Sequence, residues 1–155
     1  MSSSYDSRPH PHAHPHPHAR PGPAGRVRSS ASVPVRVAWA LLAAFLLVWT
    51  VFEAVKHAGW VIPLALLGLV LPDLSFFVGG SGPHRPGRLP AATVRVYNPL
   101  HRPILPIIAM AIPAALADGP GDNAAPFTFG LAWLLHIAAD RAFGYGLRTP
   151  DGWQR

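Results

Sequence analysis

The stretch HIAADRAFGYG, residues 136–146, places a histidine, an aspartate and an arginine at the end of an otherwise apolar run. His136 and Asp140 are four positions apart, so they share one face of a helix. Imidazole nitrogens and carboxylate oxygens are ligands for divalent metals such as zinc or manganese, and a metal held by them can activate water for hydrolysis. Arg141 is rotated about 100° from Asp140 and is long enough to reach lipid headgroups.

Other polar residues are expected to meet this pair. Asp73 lies within a second apolar run, and Asn98 and His101 precede a third. At a rise of about 1.5 Å per residue, Asp73 and Asp140 lie at a similar depth, roughly 20 Å from the outer ends of their runs. His136 then lies roughly 6 Å nearer the middle. The predicted metal ligands are Asp73, His101, His136 and Asp140, with Arg141 orienting an anionic or lipid substrate and with Asn98, Tyr97 and Tyr145 around them.

Two other interpretations of this polar set stay open at this point. A charge inside a bilayer is costly, so such residues must face one another, a cavity or an ion. They could form a structural hydrogen-bonded plug, in which Asp140 bridges His136 and Arg141. They could also pass protons or ions, although the outer halves of the first two apolar runs offer almost no polar positions. Tyr97 and Tyr145 fit interfacial anchors better than acid catalysts.

Four apolar runs must position these residues, at about 33–52, 60–78, 103–117 and 127–143. The first is long enough for a hydrocarbon core of about 30 Å, which needs about 20 residues. Its segment LLAAFLLVWTVF lacks the polar stripe of a soluble helix. Pro72 predicts a kink or a break in the second run, and prolines also interrupt the third, which predicts a kinked or tilted span. Gly144 suits a left-handed cap after the fourth. The sequence predicts an all-α integral membrane bundle of four transmembrane helices over residues 33–155.

The charges of the connecting segments predict an orientation for this bundle. Arginines occur before the first run, between the second and third, and after the fourth, which places both termini in the cytoplasm. A formal net charge of +6 can indicate nucleic-acid binding, but here the arginines flank apolar runs. We therefore expect a lipid bilayer and not nucleic acid as the partner. The Ala, Arg, Pro and Gly richness suggests a GC-rich bacterial genome, so the expected membrane is a bacterial inner membrane. The small surface between four short helices is compatible with a homo-oligomer.

Residues 1–32 form a separate His/Pro-rich arm that contains HPHAHPHPHA. Alternating proline excludes a helix, so a disordered cytoplasmic arm with polyproline character is predicted. Its imidazoles could bind zinc, nickel or copper weakly, and a plain solvated tail is the simpler interpretation. No apolar stretch typical of a secretory signal occurs in this arm. The chain has no cysteine, which excludes disulfides and thiolate metal sites.

Three segments, LPDLSFFVG, YNPLHRP and AWLLHIAADRAFGYGLRTPDGW, resemble the small bacterial membrane proteins grouped as domain of unknown function 4260. The resemblance covers about residues 36–153. It implies four hydrophobic segments and a shared polar set, which falls on Asp73, Tyr97, Asn98, His101, His136, Asp140, Arg141, Gly144, Tyr145 and Gly146. It supplies no activity. Members usually carry an acidic residue near the start of the first segment, where this chain has RVAWALL. A looser likeness of short motifs links the chain to inner-membrane metal-dependent hydrolases.

Overall fold

A computed structural model describes residues 32–79, 86–116, 118–119 and 123–155. Within these ranges the chain is all-helical, as predicted, and its single β-bridge joins Arg148 to Gln154. The predicted arm, residues 1–32, lies outside the described residues except for Ser32. The five α-helices are α1 (Val33–His57), α2 (Val61–Val70), α3 (Ala91–Leu100), α4 (Ile104–Leu116) and α5 (Ala124–Phe143).

Helix α5 is the centre of the structure. It packs against α1, α2 and α4, and nine of its twenty residues are buried. The main apolar core combines Leu131, Leu135 and Ala138 of this helix with Leu46 of α1. The helix ends at Gly144, whose φ of 89° is the left-handed conformation predicted for that glycine.

Helix α1 is long and lies mostly exposed. Its 25 residues correspond to about 37 Å, and only Leu46 and Thr50 are buried. Large apolar side chains, such as Leu41, Phe45 and Val48, cover its outer face. The helix ends where Ala58 and Gly59 both take positive φ angles, and the chain then turns back into α2.

The second apolar run is not one continuous α-helix. After α2 ends at Val70, a 3-10 helix covers Leu71–Phe77. Pro72 explains the change, because within a continuing α-helix its ring would clash with the carbonyl of Gly68 and it would leave one hydrogen bond unmade. The predicted span 60–78 therefore consists of two short segments, and Asp73 lies on the second.

Helix α3 was not predicted, since its residues were assigned to the loop between the second and third apolar runs. Its sequence, AATVRVYNPL, is short and mixed in polarity, so no apolar periodicity marks it. Three of its side chains, Thr93, Val94 and Tyr97, are nevertheless buried against the rest of the protein. The axes of α3 and α4 meet at 45°, with residues 101–103 at the bend.

Among the described helices, α1 alone is long and apolar enough to cross a membrane, and α3 with α4 would form a second such span if counted together as one bent unit. The segment Val61–Phe77 is apolar but shorter. The buried helix α5 carries His136, Asp140 and Arg141 in its last two turns, which lowers its apolar character. The described structure is thus an all-helical protein with one or two clear candidate spans, and a bundle of four transmembrane helices stays a prediction.

Candidate metal centre

Three elements bring four acidic and imidazole side chains together. His136 and Asp140 lie one turn apart on α5, Asp73 lies on the 3-10 helix, and His101 follows α3. The sequence favours a helix end at His101, because Pro103 restricts the residue before it and excludes a continuous helix through the bend. The Trp133 indole N–H donates to the Leu100 carbonyl at 2.7 Å, which holds this end of α3 against α5.

The two imidazoles point their Nε2 atoms at the same two carboxylates. His101 Nε2 is 3.4 Å from Asp140 Oδ2 and 3.8 Å from Asp73 Oδ1. His136 Nε2 is 3.6 Å from each of these two oxygens. The candidate ligand atoms of Asp73, His101 and His136 all lie within 4.8 Å of one another. The structure therefore brings together all four predicted ligands.

Asp73, His101, His136 and Asp140 together are called the His/Asp cluster. Its four side chains differ in how far they are buried. The side chains of His101 and His136 are only 2% and 12% exposed, whereas that of Asp73 is 52% exposed. Asp140 is intermediate at 24%. The cluster thus has two buried nitrogen donors on one side and opens outward beside Asp73.

The ring of His101 is fixed in orientation by Tyr97. The two rings stack with centroids 3.7 Å apart, and His101 Nδ1 lies 2.9 Å from the Tyr97 carbonyl oxygen. A carbonyl can only accept, so Nδ1 must carry the hydrogen in this bond. In the neutral ring, Nε2 is then a bare lone pair that faces the carboxylates. This arrangement, in which the second ring nitrogen donates to a carbonyl, is the usual support of a metal-binding histidine.

Both Nε2 atoms are buried and have no hydrogen-bond partner. Their distances to the carboxylate oxygens fit the limit for an ion pair, yet they exceed the range of about 2.7–3.2 Å for an N–H···O bond. The bare Nε2 lone pair of His101 and the two carboxylates that face it repel unless a proton or a metal cation lies between them. Ligands about 2.0–2.1 Å from a tetrahedral zinc are about 3.4 Å apart, which is close to the separations found here.

The remaining predicted residues surround the cluster in different ways. Tyr97 is buried rather than interfacial, because its ring packs on His101. Arg141 is held beside the cluster, where its Nη2 donates to the His101 carbonyl at 3.2 Å, and its reach to lipid headgroups stays a prediction. The bridge from Asp140 to Arg141 expected for a structural plug is replaced by the approach of Asp140 to both histidines. Tyr145 is 53% exposed, and together with Arg141 it lines a pocket that contains none of the four cluster residues.

Asn98 holds the C-terminal segment through hydrogen bonds to the Arg148 backbone. Its Nδ2 donates to the Arg148 carbonyl at 2.9 Å, and its Oδ1 accepts from the Arg148 N–H at 2.8 Å. This double hydrogen bond fastens residues 148–154 to α3, and Leu89 N–H donates to the Gly152 carbonyl beside it. Asn98 thus positions the C-terminal segment, including Arg148, whose guanidinium lies over the Tyr97 ring.

Replacing Asn98 by alanine is expected to lower the free energy of unfolding by about 1–3 kcal/mol, because both backbone groups of Arg148 lose their partner in a half-buried place. Trypsin should then cleave after Arg148 several times faster, which timed proteolysis with mass spectrometry would measure. Gln154→Ala is the matched control, since it removes one exposed hydrogen bond to the Gly144 carbonyl. Equal cleavage rates in both variants would show that Asn98 does not hold the tail.

Sequence reasoning missed the part that Arg36 plays. Arg36 is one of the arginines near the start of the first run, which predicted only an orientation, but its Nε donates to the Ala142 carbonyl at 3.0 Å and so joins the start of α1 to the end of α5. Its position one turn before Trp39 was the available signal, since a charged and an aromatic residue at this spacing share a helix face. Arg148 was likewise treated as a tail charge, although its guanidinium lies 5.8 Å from the centre of the Tyr97 ring.

The fold and the cluster define an all-helical protein with a two-histidine, two-carboxylate centre and an exposed apolar helix. Residues 36–155 match the sequence profile of the family described as "Domain of unknown function (DUF4260)". The chain belongs to this family, as its motifs indicated. Comparison with curated proteins and with solved structures finds no match.

Proposed function

We propose that this chain is an integral membrane protein whose His/Asp cluster binds one divalent metal ion and acts as a hydrolase-type centre. The observation that carries the proposal is the pair of buried Nε2 atoms without hydrogen-bond partners, both aimed at the Asp73 and Asp140 carboxylates. Leaving buried polar atoms unpaired is costly, and one cation between them satisfies all four groups at once.

The donor set suits zinc or manganese. Neutral imidazole nitrogens combined with carboxylate oxygens are borderline-to-hard ligands, and the chain has no cysteine thiolate to favour softer metals. Three protein ligands with one open position are typical of catalytic zinc, whereas four protein ligands are typical of structural zinc. The group of Asp73, His101 and His136 supplies the three.

Asp140 then has a role of its own. Its Oδ2 lies beside both histidine nitrogens, so it can complete the ligand set or accept a proton from a water molecule next to the metal. A divalent metal supplies a Lewis acid that activates such water for hydrolysis. Arg141 follows Asp140 and orients an anionic substrate group at the edge of the site, while the exposed side of Asp73 gives the direction of entry.

Membrane insertion is supported by the apolar surfaces that the described structure leaves exposed. Large apolar side chains face outward along α1, α2 and α4, for example Phe45, Leu66 and Ile108. Contiguous exposed apolar patches of this extent are rare in soluble monomers. We place the protein in a bacterial inner membrane with both termini in the cytoplasm, in accordance with the distribution of arginines.

A non-enzymatic role is the second candidate, in which the cluster is a structural polar network. It is favoured by the bonds that fix His101 without any ion, namely its Nδ1 bond to Tyr97 and its stacking on that ring. In that case the imidazoles would carry protons and pair with the carboxylates directly. The two functions differ in one measurable property, which is bound metal.

The test is elemental analysis of detergent-purified full-length protein in which the five arm histidines, His10, His12, His14, His16 and His18, are replaced by glutamine. This background removes the arm as a source of metal. We expect about one zinc or manganese ion per chain, and loss of that ion in His136→Ala and in Asp73→Ala, because metal sites of this kind fail when one of three ligands is removed.

His57→Ala is the matched control. His57 is also an imidazole near a carboxylate, with its Nε2 3.3 Å from Glu53 Oε2, but it lies at the far end of α1 outside the cluster. Its replacement should leave the metal content unchanged. Absence of metal from a folded background protein that has been offered zinc and manganese would refute the metal centre and favour the structural network.

A further inference from the structure

A pocket borders Arg141, and none of the four His/Asp cluster residues lines it. It has a volume of about 250 Å³ and is lined by Trp39 of α1, by Arg141, by the segment 144–147 and by Arg155. Whole small-molecule ligands occupy sites of about 300–1,000 Å³, so this pocket suits a single polar headgroup. We call it the headgroup pocket.

Guanidinium groups dominate its charge. Arg141 and Arg155 line the headgroup pocket, and the guanidinium of Arg36 lies 3.7–3.9 Å from the place where a Cβ on Gly144 would sit. No lining residue is Asp or Glu. The main-chain oxygen of Arg155 reaches the rim near Gly146, and Arg36 borders the pocket at Gly144, so three arginines line or border it. The pocket is therefore positive and can bind an anion.

The two glycines keep these guanidiniums accessible. A Cβ on Gly146 would approach Arg141 Nη1 at 3.3 Å, and a Cβ on Gly144 would contact Arg36. Planar guanidinium groups bind phosphate oxygens through paired N–H···O bonds, and arginine is the residue most used for this purpose. The chemistry on offer is therefore that of a phosphate group.

The surroundings favour a phosphate that belongs to a lipid. Trp39 and the half-exposed Tyr145 form the apolar part of the wall, and both residue types are enriched at the level of lipid headgroups. Leu41 and Phe45 belong to the exposed apolar face of the same helix, which is rotated about 200° from Trp39. A phosphate in the pocket would leave this face free for acyl chains.

We infer that the headgroup pocket binds the phosphate of an anionic phospholipid, with Arg36, Arg141 and Arg155 as its ligands. This inference rests on the proposed membrane setting but not on the metal centre. Arg141 links the two sites, since its Nη2 holds the His101 carbonyl while its Nη1 lies beside Gly146.

The test is native mass spectrometry of the full-length protein in detergent, equilibrated with phosphatidic acid or with diacylglycerol of the same acyl chains. We expect phosphatidic acid to bind at least about tenfold more tightly, because each charge-assisted hydrogen bond is worth about a factor of ten. A double variant, Arg36→Gln with Arg155→Gln, and a pocket-filling variant, Gly146→Val, should each lose that preference. Arg95→Gln removes one positive charge, half of what the double variant removes, from the exposed side of α3 and should retain the preference.

Competition with inorganic phosphate identifies the source of the phosphate. If millimolar phosphate leaves the lipid bound, a phospholipid is the ligand; if it displaces the lipid, the pocket binds free phosphate and the lipid assignment is wrong. Equal binding of diacylglycerol, or equal losses in the double variant and in Arg95→Gln, would overturn the inference. Metal content measured on the same samples separates this outcome from failure of the metal centre, since neither Arg36 nor Arg155 belongs to the His/Asp cluster.

Discussion

Removal of divalent metal with a chelator is expected to lower the free energy of unfolding of this protein by about 3–4 kcal/mol. An ion present at about one hundred to one thousand times its Kd stabilises the folded state by that amount, provided that the unfolded chain does not bind it. In this fold the loss has a local cause, because two buried Nε2 atoms and two carboxylates would face one another with nothing between them. Thermal unfolding in detergent, followed by tryptophan fluorescence with and without chelator, measures the difference.

Asp140→Asn extends this prediction, because the substitution should lower the stability of the protein when metal is present but not when a chelator is present. With metal present, the variant loses one carboxylate beside the ion and should be less stable than the unsubstituted protein. With chelator present, its amide N–H can donate to a histidine Nε2, which a carboxylate cannot do. The variant should then be at least as stable as the unsubstituted protein, and its unfolding should depend little on metal.

The control for this experiment is again His57→Ala, which should respond to the chelator as the unsubstituted protein does. A structural network predicts a different pattern. Chelator would then change nothing, while Asp140→Asn would be destabilised in both conditions because it removes a charge partner of two imidazoles. The stability of Asp140→Asn in chelator therefore distinguishes a metal centre, for which it is not lowered, from a structural network, for which it is lowered.

Much of the fold follows from the apolar runs of the sequence. The runs at 33–52, 103–117 and 127–143 lie within or closely match α1, α4 and α5, and Gly144 ends the last helix as its type predicts. Helix α3 could not be predicted in this way, because its residues are of mixed polarity. Its helical state depends on the burial of Val94 and Tyr97, which is a property of the tertiary structure.

Part of the candidate site could be predicted from the sequence, because helix geometry relates the positions of its residues. Spacing alone places His136 and Asp140 on one face, and helical rise places Asp73 at a similar depth. The orientation of the His101 ring could not be predicted from the sequence, because it depends on stacking against Tyr97 and on a hydrogen bond to the Tyr97 carbonyl. The partner of Arg141 was not accessible either, since the carbonyl of His101 becomes available only where α3 ends.

Gly68→Ala is expected to lower the free energy of unfolding by about 3 kcal/mol, although the same change in an open helix would raise it by about 1 kcal/mol. The reason is the contact between α2 and α5. A Cβ on Gly68 would overlap the carbonyl oxygen of Phe129, and it would also meet the Ala132 Cβ at 3.1 Å. Both obstacles belong to the backbone or to a rigid side chain, so the two helices would have to move apart.

Separation of α2 from α5 should also disturb the His/Asp cluster, since Asp73 follows α2 and His136 lies on α5. We therefore expect Gly68→Ala to weaken metal binding as well as stability, even though Gly68 is not a ligand. Thermal unfolding and elemental analysis of the same sample would record both effects. Stability equal to or above that of the unsubstituted protein would show that the close approach of these helices is not required.

Gly130→Ala provides the graded comparison, because it adds a methyl group at another contact of α5. There the new Cβ would meet the Cγ atom of Met110, a flexible side chain that can move, although the Pro106 carbonyl oxygen lies 3.0 Å away. The expected loss is about 1–2 kcal/mol, which is smaller than for Gly68→Ala. Gly130 faces α4, which carries none of the four cluster residues, so metal binding should be retained. The contrast tests whether the packing of α2 on α5 specifically sets the distance between Asp73 and His136.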